Sequence, residues 1–133
     1  MKGVAMATAQ NLTPRLRAIK KRLVTEQERL ESELHEIRER TSHASELERA
    51  TELSTYDDHP ADLASETYER EKDLALESNI QNLLDKVNAA LEKIDEGTYG
   101  ICDSCNIEIN ENRLEALPWA SLCRDCQDRV EGR

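Results

Sequence analysis

The 133-residue chain contains no phenylalanine, one tryptophan and three tyrosines. Aromatic rings are the bulkiest fillers of a protein interior, so a thick aromatic core enclosing an enzyme active site is not expected. Leu, Ile and Val supply only about a fifth of the residues, at the edge of the composition that still buries enough apolar surface to fold. Gly and Pro are scarce too, at four and three, and neither interrupts residues 15–53. No apolar run approaches the roughly 20 residues that cross a bilayer. The opening MKGVAMATAQ is too short and too polar for a secretory signal. A cytoplasmic, membrane-free location is the resulting expectation. Basic charge is also in deficit, with 18 Lys and Arg against 28 Asp and Glu, a net charge of −10. Phosphate contact needs a basic face, so sequence-specific DNA binding is not expected.

The charge is unevenly placed. Residues 1–25 carry Lys2, Arg15, Arg17, Lys20, Lys21 and Arg22 and no acid, whereas residues 54–79 are strongly acidic. That acidic stretch repels nucleic acid and suits a basic protein surface or the neighbourhood of bound metal ions. The basic run at 15–22 is read as pairing with Glu92, Asp95 and Glu96.

Thr13-Pro14 reads as a helix cap followed by proline at the first helical position. Beyond it, Leu16, Leu23, Leu30, Ile37 and Ala44 repeat every seven residues, while the companion positions hold Ile19, Glu26, Glu33, Arg40 and Leu47. This is one long helix with a thin apolar seam. The segment STYDDHP at 54–60 gathers turn formers and ends in proline. A second helix starts near Pro60 and carries Ile80, Leu84, Val87, Leu91 and Ile94 on its seam, and Gly97 ends it as a left-handed cap. Leu63, Leu74 and Leu76 hold no single register. Two such helices joined by a short turn make an antiparallel coiled-coil hairpin, with a dimeric bundle or a partly frayed pair as alternatives.

Four cysteines form two pairs, C-D-S-C and C-R-D-C, separated by residues 106–122. Cys102, Cys105, Cys123 and Cys126 therefore have the spacing of one tetrahedral zinc site. A two-residue spacer lets both sulfurs of a pair face one ion, and four thiolates leave no open position, so the zinc is expected to be structural. Two disulfides, a redox dithiol and an iron–sulfur cluster are the alternatives. Ile107, Ile109, Leu114, Leu117 and Trp119 are the candidate core around the metal. With no nucleophile–base pair in view, an enzyme is not expected.

A long helical hairpin followed by TYGICDSCNIEINENRLEALPWASLCRDC resembles the TraR/DksA family of bacterial transcription regulators. YGxCxxC, RLEALP and the closing CxxC all match, and YDDHPADLASETYEREKDLAL at 56–76 looks especially like the YteA-like branch of spore-forming bacteria. The resemblance implies a regulator that binds RNA polymerase through its secondary channel and brings the hairpin tip near the catalytic magnesium. The family tip pattern DxxDxA places its second Asp on Asp62 and its Ala on Ala64, while its first Asp falls on His59, just after Asp57 and Asp58. Read from the residues alone, Asp62 is a first-turn carboxylate that satisfies free amides and the helix dipole. The resemblance makes it the functional tip residue. His59 reads as a solvated turn residue, and His35 and His43 as surface positions. Relatives contact the alarmone ppGpp at positions that correspond to Asn79, Lys86 and Gln127; only Lys86 is basic, which gives ppGpp synergy little support.

The expected architecture is mainly α: residues 1–13 as a flexible N-terminus, 14–97 as the hairpin with its turn at about 54–60, and 98–133 as a small zinc finger with a short C-terminal helix. The expected function is polymerase-directed transcription regulation. The other reading is a stress or sporulation adaptor that uses the same hairpin on another protein.

Overall fold

In the computed structural model, residues 13–54 and 60–132 are described, with side chains placed over 13–43 and 64–132. The expected flexible segment up to residue 12 and tip residues Asp57, Asp58 and His59 lie outside the described residues, as does the side chain of Asp62. Among the described residues four helices follow one another: α1 (Pro14–Ser54), α2 (Pro60–Glu96), α3 (Glu111–Ala116) and α4 (Arg124–Val130). Among the described residues there is no strand, only an isolated bridge between Ile101 and Glu108. No helix among them is long and apolar enough to cross a membrane.

The ends of the long helices follow local chemistry. Thr13 Oγ1 accepts the Leu16 N–H at 3.1 Å, and the Thr13 carbonyl accepts Arg17 N–H at 2.9 Å. This satisfies amides that a helix start leaves unpaired. At the other end of α2, Thr98 N–H reaches the Lys93 carbonyl at 2.9 Å and Gly97 N–H reaches that of Ile94 at 3.3 Å. Those two bonds close a Schellman motif around Gly97, whose φ is +80°. Gly97→Ala is expected to cost about 1 kcal/mol because a Cβ is strained in this left-handed conformation. A lowered urea midpoint with an unchanged zinc content checks it.

The chain divides into two compact units. One comprises Met1–Glu28 and Leu84–Arg133, the other Arg29–Leu83. In the first, Lys20 meets Asp95 at 3.4 Å and Gln27 donates to Asn88 at 2.7 Å. Rising numbers on α1 meet falling numbers on α2, so the helices run antiparallel there. Ile19, Leu23, Val87, Ala90 and Ile94 are buried in this unit. In the second, Leu30, Leu34, Ile37 and Ile80 are buried, and Arg38 with Glu77 and Arg40 with Asp73 give the same antiparallel sense.

The seam departs from a strict heptad in both helices. On α1, Leu34 is buried although a seven-residue repeat leaves it off the seam, and Arg40 is exposed. The run Ile19, Leu23, Leu30, Leu34 repeats after eleven residues (19 to 30, 23 to 34), a spacing nearer the 3.6 residues of an unstrained helical turn. On α2, Ala90 is buried where Leu91 was expected, and Leu91 is half-buried. From 64 to 79 no α2 side chain is buried, and Leu74 and Leu76 are exposed. Asp73 and Glu77 hold the positions in step with Ile80 and Leu84, so the seam continues in geometry but turns polar. Arg40 donates to both carboxylate oxygens of Asp73, at 3.1 and 2.9 Å. That bonding, against the opposing effect of burial, holds the Asp73 carboxyl below its ordinary value.

Candidate metal centre

The four cysteines come from two local structures. Cys102 and Cys105 sit in a tight loop in which Asn106 N–H returns to the Cys102 carbonyl at 3.0 Å and Cys102 N–H reaches that of Ile107 at 2.9 Å. Closing the loop needs a left-handed residue, and Asn106 supplies it with φ 64°. Gly100, at φ +85°, precedes the loop; its carbonyl accepts Ile109 N–H at 2.7 Å. Cys123 is the N-cap of α4 and Cys126 lies in its first turn. Helical geometry thus turns the second pair of sulfurs to one side. The Cys123 N–H donates to Cys102 Sγ at 3.3 Å, joining the two pairs.

The four sulfurs lie within 4.8 Å of one another, and Cys105 Sγ and Cys123 Sγ are 3.7 Å apart. A tetrahedron with zinc–sulfur bonds of about 2.3 Å has an edge of about 3.8 Å, so the donor set fits a zinc ion. None of the four is in a disulfide. Burial raises the Cys102 thiol, but the N–H groups of Cys123, Cys105 and Ser104 outweigh it and bring it to about 6. Cys126 shows the opposite balance: Ser104 lowers it, yet the neighbouring sulfurs and burial push it up to about 12. Cys105 is raised as well, by burial and the Cys102 thiol against the Ile107 N–H. Unaided, the surroundings favour charge on Cys102 and oppose it on Cys105 and Cys126. A dication overcomes that opposition.

Around the metal centre the buried residues are Cys102, Ile109, Leu114, Cys123 and Cys126, with Tyr99, Ala120 and Leu122 packed against them. The sequence reading had Ile107 and Leu117 in this core, but both are exposed. Trp119 is half-buried and Pro118 buried. The loop reversal at Asn106 and the turn after α3 point those two aliphatics outward. Tyr99 does what they were assigned: its hydroxyl, raised by burial above the ordinary tyrosine value, donates to the Pro118 carbonyl at 2.7 Å.

The basic run on α1 serves the finger more than α2. Lys20 does pair with Asp95, but Arg15 meets Glu111 at 3.0 Å and Arg22 donates to the Glu115 carbonyl at 3.1 Å. Sequence reasoning missed both, because α3 joins the basic run only after the cysteine loop brings it back. Of the expected tip residues, Ala64 is exposed. Lys86 and Gln127 line one open groove together with Arg124 and Trp119. His35 and His43 are exposed.

Residues 97–132 match the prokaryotic dksA/traR C4-type zinc finger. The chain is 51% identical over 70 residues to the uncharacterized protein YteA of Bacillus subtilis, covering 53% of this chain and 29% of that protein. It is 40% identical over 74 residues to the RNA polymerase-binding transcription factor DksA of Buchnera aphidicola, covering 56% of this chain and 49% of the relative. The chain thus spans less than half the length of either. The structure of transcription factor DksA2 from Pseudomonas aeruginosa aligns with a TM-score of 0.68 at 25% identity, over 96% of this chain and 92% of that one. The four clustered thiols at 102, 105, 123 and 126 are positioned to bind one metal ion within the DksA/TraR-type C4 zinc finger that this chain carries over residues 97–132.

Proposed function

We propose that this protein binds RNA polymerase and regulates transcription, with its α1–α2 tip reaching through the secondary channel toward the catalytic centre. The observation that carries this reading is the likeness to the DksA2 structure, which extends over both long helices as well as the finger. A relative named as an RNA polymerase-binding transcription factor supports it. Cys102, Cys105, Cys123 and Cys126 would hold the zinc, and a closed tetrathiolate supplies rigidity rather than substrate chemistry. Arg15 and Arg22 tie α3 to α1, which holds the base of the helices on the finger. The working group in this reading is the carboxylate of Asp62, in the first turn of α2, with Asp57, Asp58, His59 and Ala64 around it.

The test is a pull-down with purified bacterial RNA polymerase, followed by decay of promoter complexes with wild type and Asp62→Asn. The wild type is expected to bind and to change complex lifetime. Asp62→Asn is expected to bind equally and lose most of the effect on lifetime. A wild-type protein that leaves polymerase unbound and decay unchanged overturns the reading.

A further inference from the structure

Lys93, in the last turn of α2, lies outside the finger yet grips one of its cysteine loops. Its ammonium donates to the Ile101 carbonyl at 3.0 Å and lies 2.6 Å from Asp103 Oδ1, with its side chain only 16% exposed. Ile101 and Asp103 flank Cys102. The Asp103 N–H in turn donates to the Ser121 carbonyl at 2.8 Å, two residues ahead of Cys123. One line of contacts therefore runs from α2 to the first cysteine pair and on to the second. Arg113 plays the matching part inside the finger, donating from Nε to the Leu122 carbonyl at 3.0 Å.

Fixing the groups on both sides of Cys102 limits how far its sulfur can swing away from a metal ion. We propose that Lys93 is a positioning residue of the zinc site: it pins residues 101–103 to α2 and thereby slows release of the metal. Groups that orient metal ligands from just outside the coordination sphere typically change metal affinity by about 10- to 100-fold when removed. The competing account is a helix-terminal lysine that neutralises the helix end and makes an ordinary surface ion pair, with no influence on the metal.

The two accounts separate in the rate at which the zinc-loaded full chain transfers its metal to excess 4-(2-pyridylazo)resorcinol. Lys93→Met, which keeps the aliphatic stem, is expected to speed transfer about tenfold. Lys93→Arg, which keeps the cation, is expected to recover most of the wild-type rate. Lys20→Met removes another partly shielded lysine of the same unit, one that pairs with Asp95 instead, and is expected to leave the rate unchanged. Wild-type transfer by Lys93→Met, or equal acceleration by Lys20→Met, overturns the proposal. Asp103→Asn decides the matter where Lys93→Met fails to fold: faster transfer supports the pin, and a wild-type rate overturns it. No polymerase is present in this assay, so its outcome is independent of the proposed function.

Discussion

Cys126→Ser is expected to take the zinc content from one ion per chain to none and to unfold the finger. Three of the five buried residues clustered around the centre are themselves ligands, and Ile109 and Leu114 are the other two. That is far too little apolar surface to order residues 97–132 without metal, so the energy of coordination is the folding energy of the domain. The single tryptophan, Trp119, lies between the cysteine pairs, and its emission is expected to shift red in Cys126→Ser or after chelation. Far-UV ellipticity should fall only slightly, because α1 and α2 bury their own seam. Zinc affinity should also weaken steadily as pH is lowered. Zinc needs thiolates, and Cys126, pushed up to about 12 in the metal-free cluster, gives up its proton only in exchange for the ion. A variant that retains one zinc, or a chelated wild type with unshifted Trp119 emission, contradicts this account.

Leu23→Ala is expected to destabilise the helix pair by about 3 kcal/mol, within the range for emptying a fully buried leucine site. Leu23 is completely buried, as are Val87 and Ile94 in the same unit. A seam one side chain wide has no second layer to collapse into the cavity, so little of the loss is recovered. Against a total stability of about 5–15 kcal/mol the effect is large, and a drop in the urea midpoint followed by circular dichroism measures it. Leu74→Ala, at a half-exposed position, is expected to shift stability by less than about 0.5 kcal/mol. Zinc content should stay at one ion per chain in both variants, which separates damage to the helix pair from damage to the finger. Equal midpoints for the two variants would contradict the buried-seam account.

These outcomes depend on features with different visibility in the sequence. Two CxxC pairs state a metal site almost by themselves, since the ligands are a rare residue type at a spacing imposed by local geometry. The cap at Thr13 and the left-handed Gly97 are equally local. The seam was legible only in part. A heptad frame identified Leu23, Leu30, Ile37, Leu84, Val87 and Ile94, yet missed Leu34 and Ala90. Burial depends on how far each helix drifts around its partner, and one helix's pattern does not specify that drift. Leu74 and Leu76 show the same limit, because their exposure follows from Asp73 and Glu77 taking the inward positions opposite Arg40 and Arg38.

From the sequence alone came the order of parts: long helices with thin apolar seams, an acidic stretch over the turn and the start of the second helix, and four thiols spaced for one zinc ion. Each rests on a period or a spacing of a few residues, so no knowledge of distant neighbours was required. Only the tertiary structure decided which charges serve the finger. Arg15 and Arg22 stand far along the chain from Glu111 and Glu115, and on the sequence their basic run read as pairing with Glu92, Asp95 and Glu96, while nothing in the sequence singled out Lys93. Folding the cysteine loop back on the helices brings Glu111, the Glu115 carbonyl, Ile101 and Asp103 within hydrogen-bonding reach of them. An ion pair is chosen by distance in space, and that distance is set only once the chain has closed on itself.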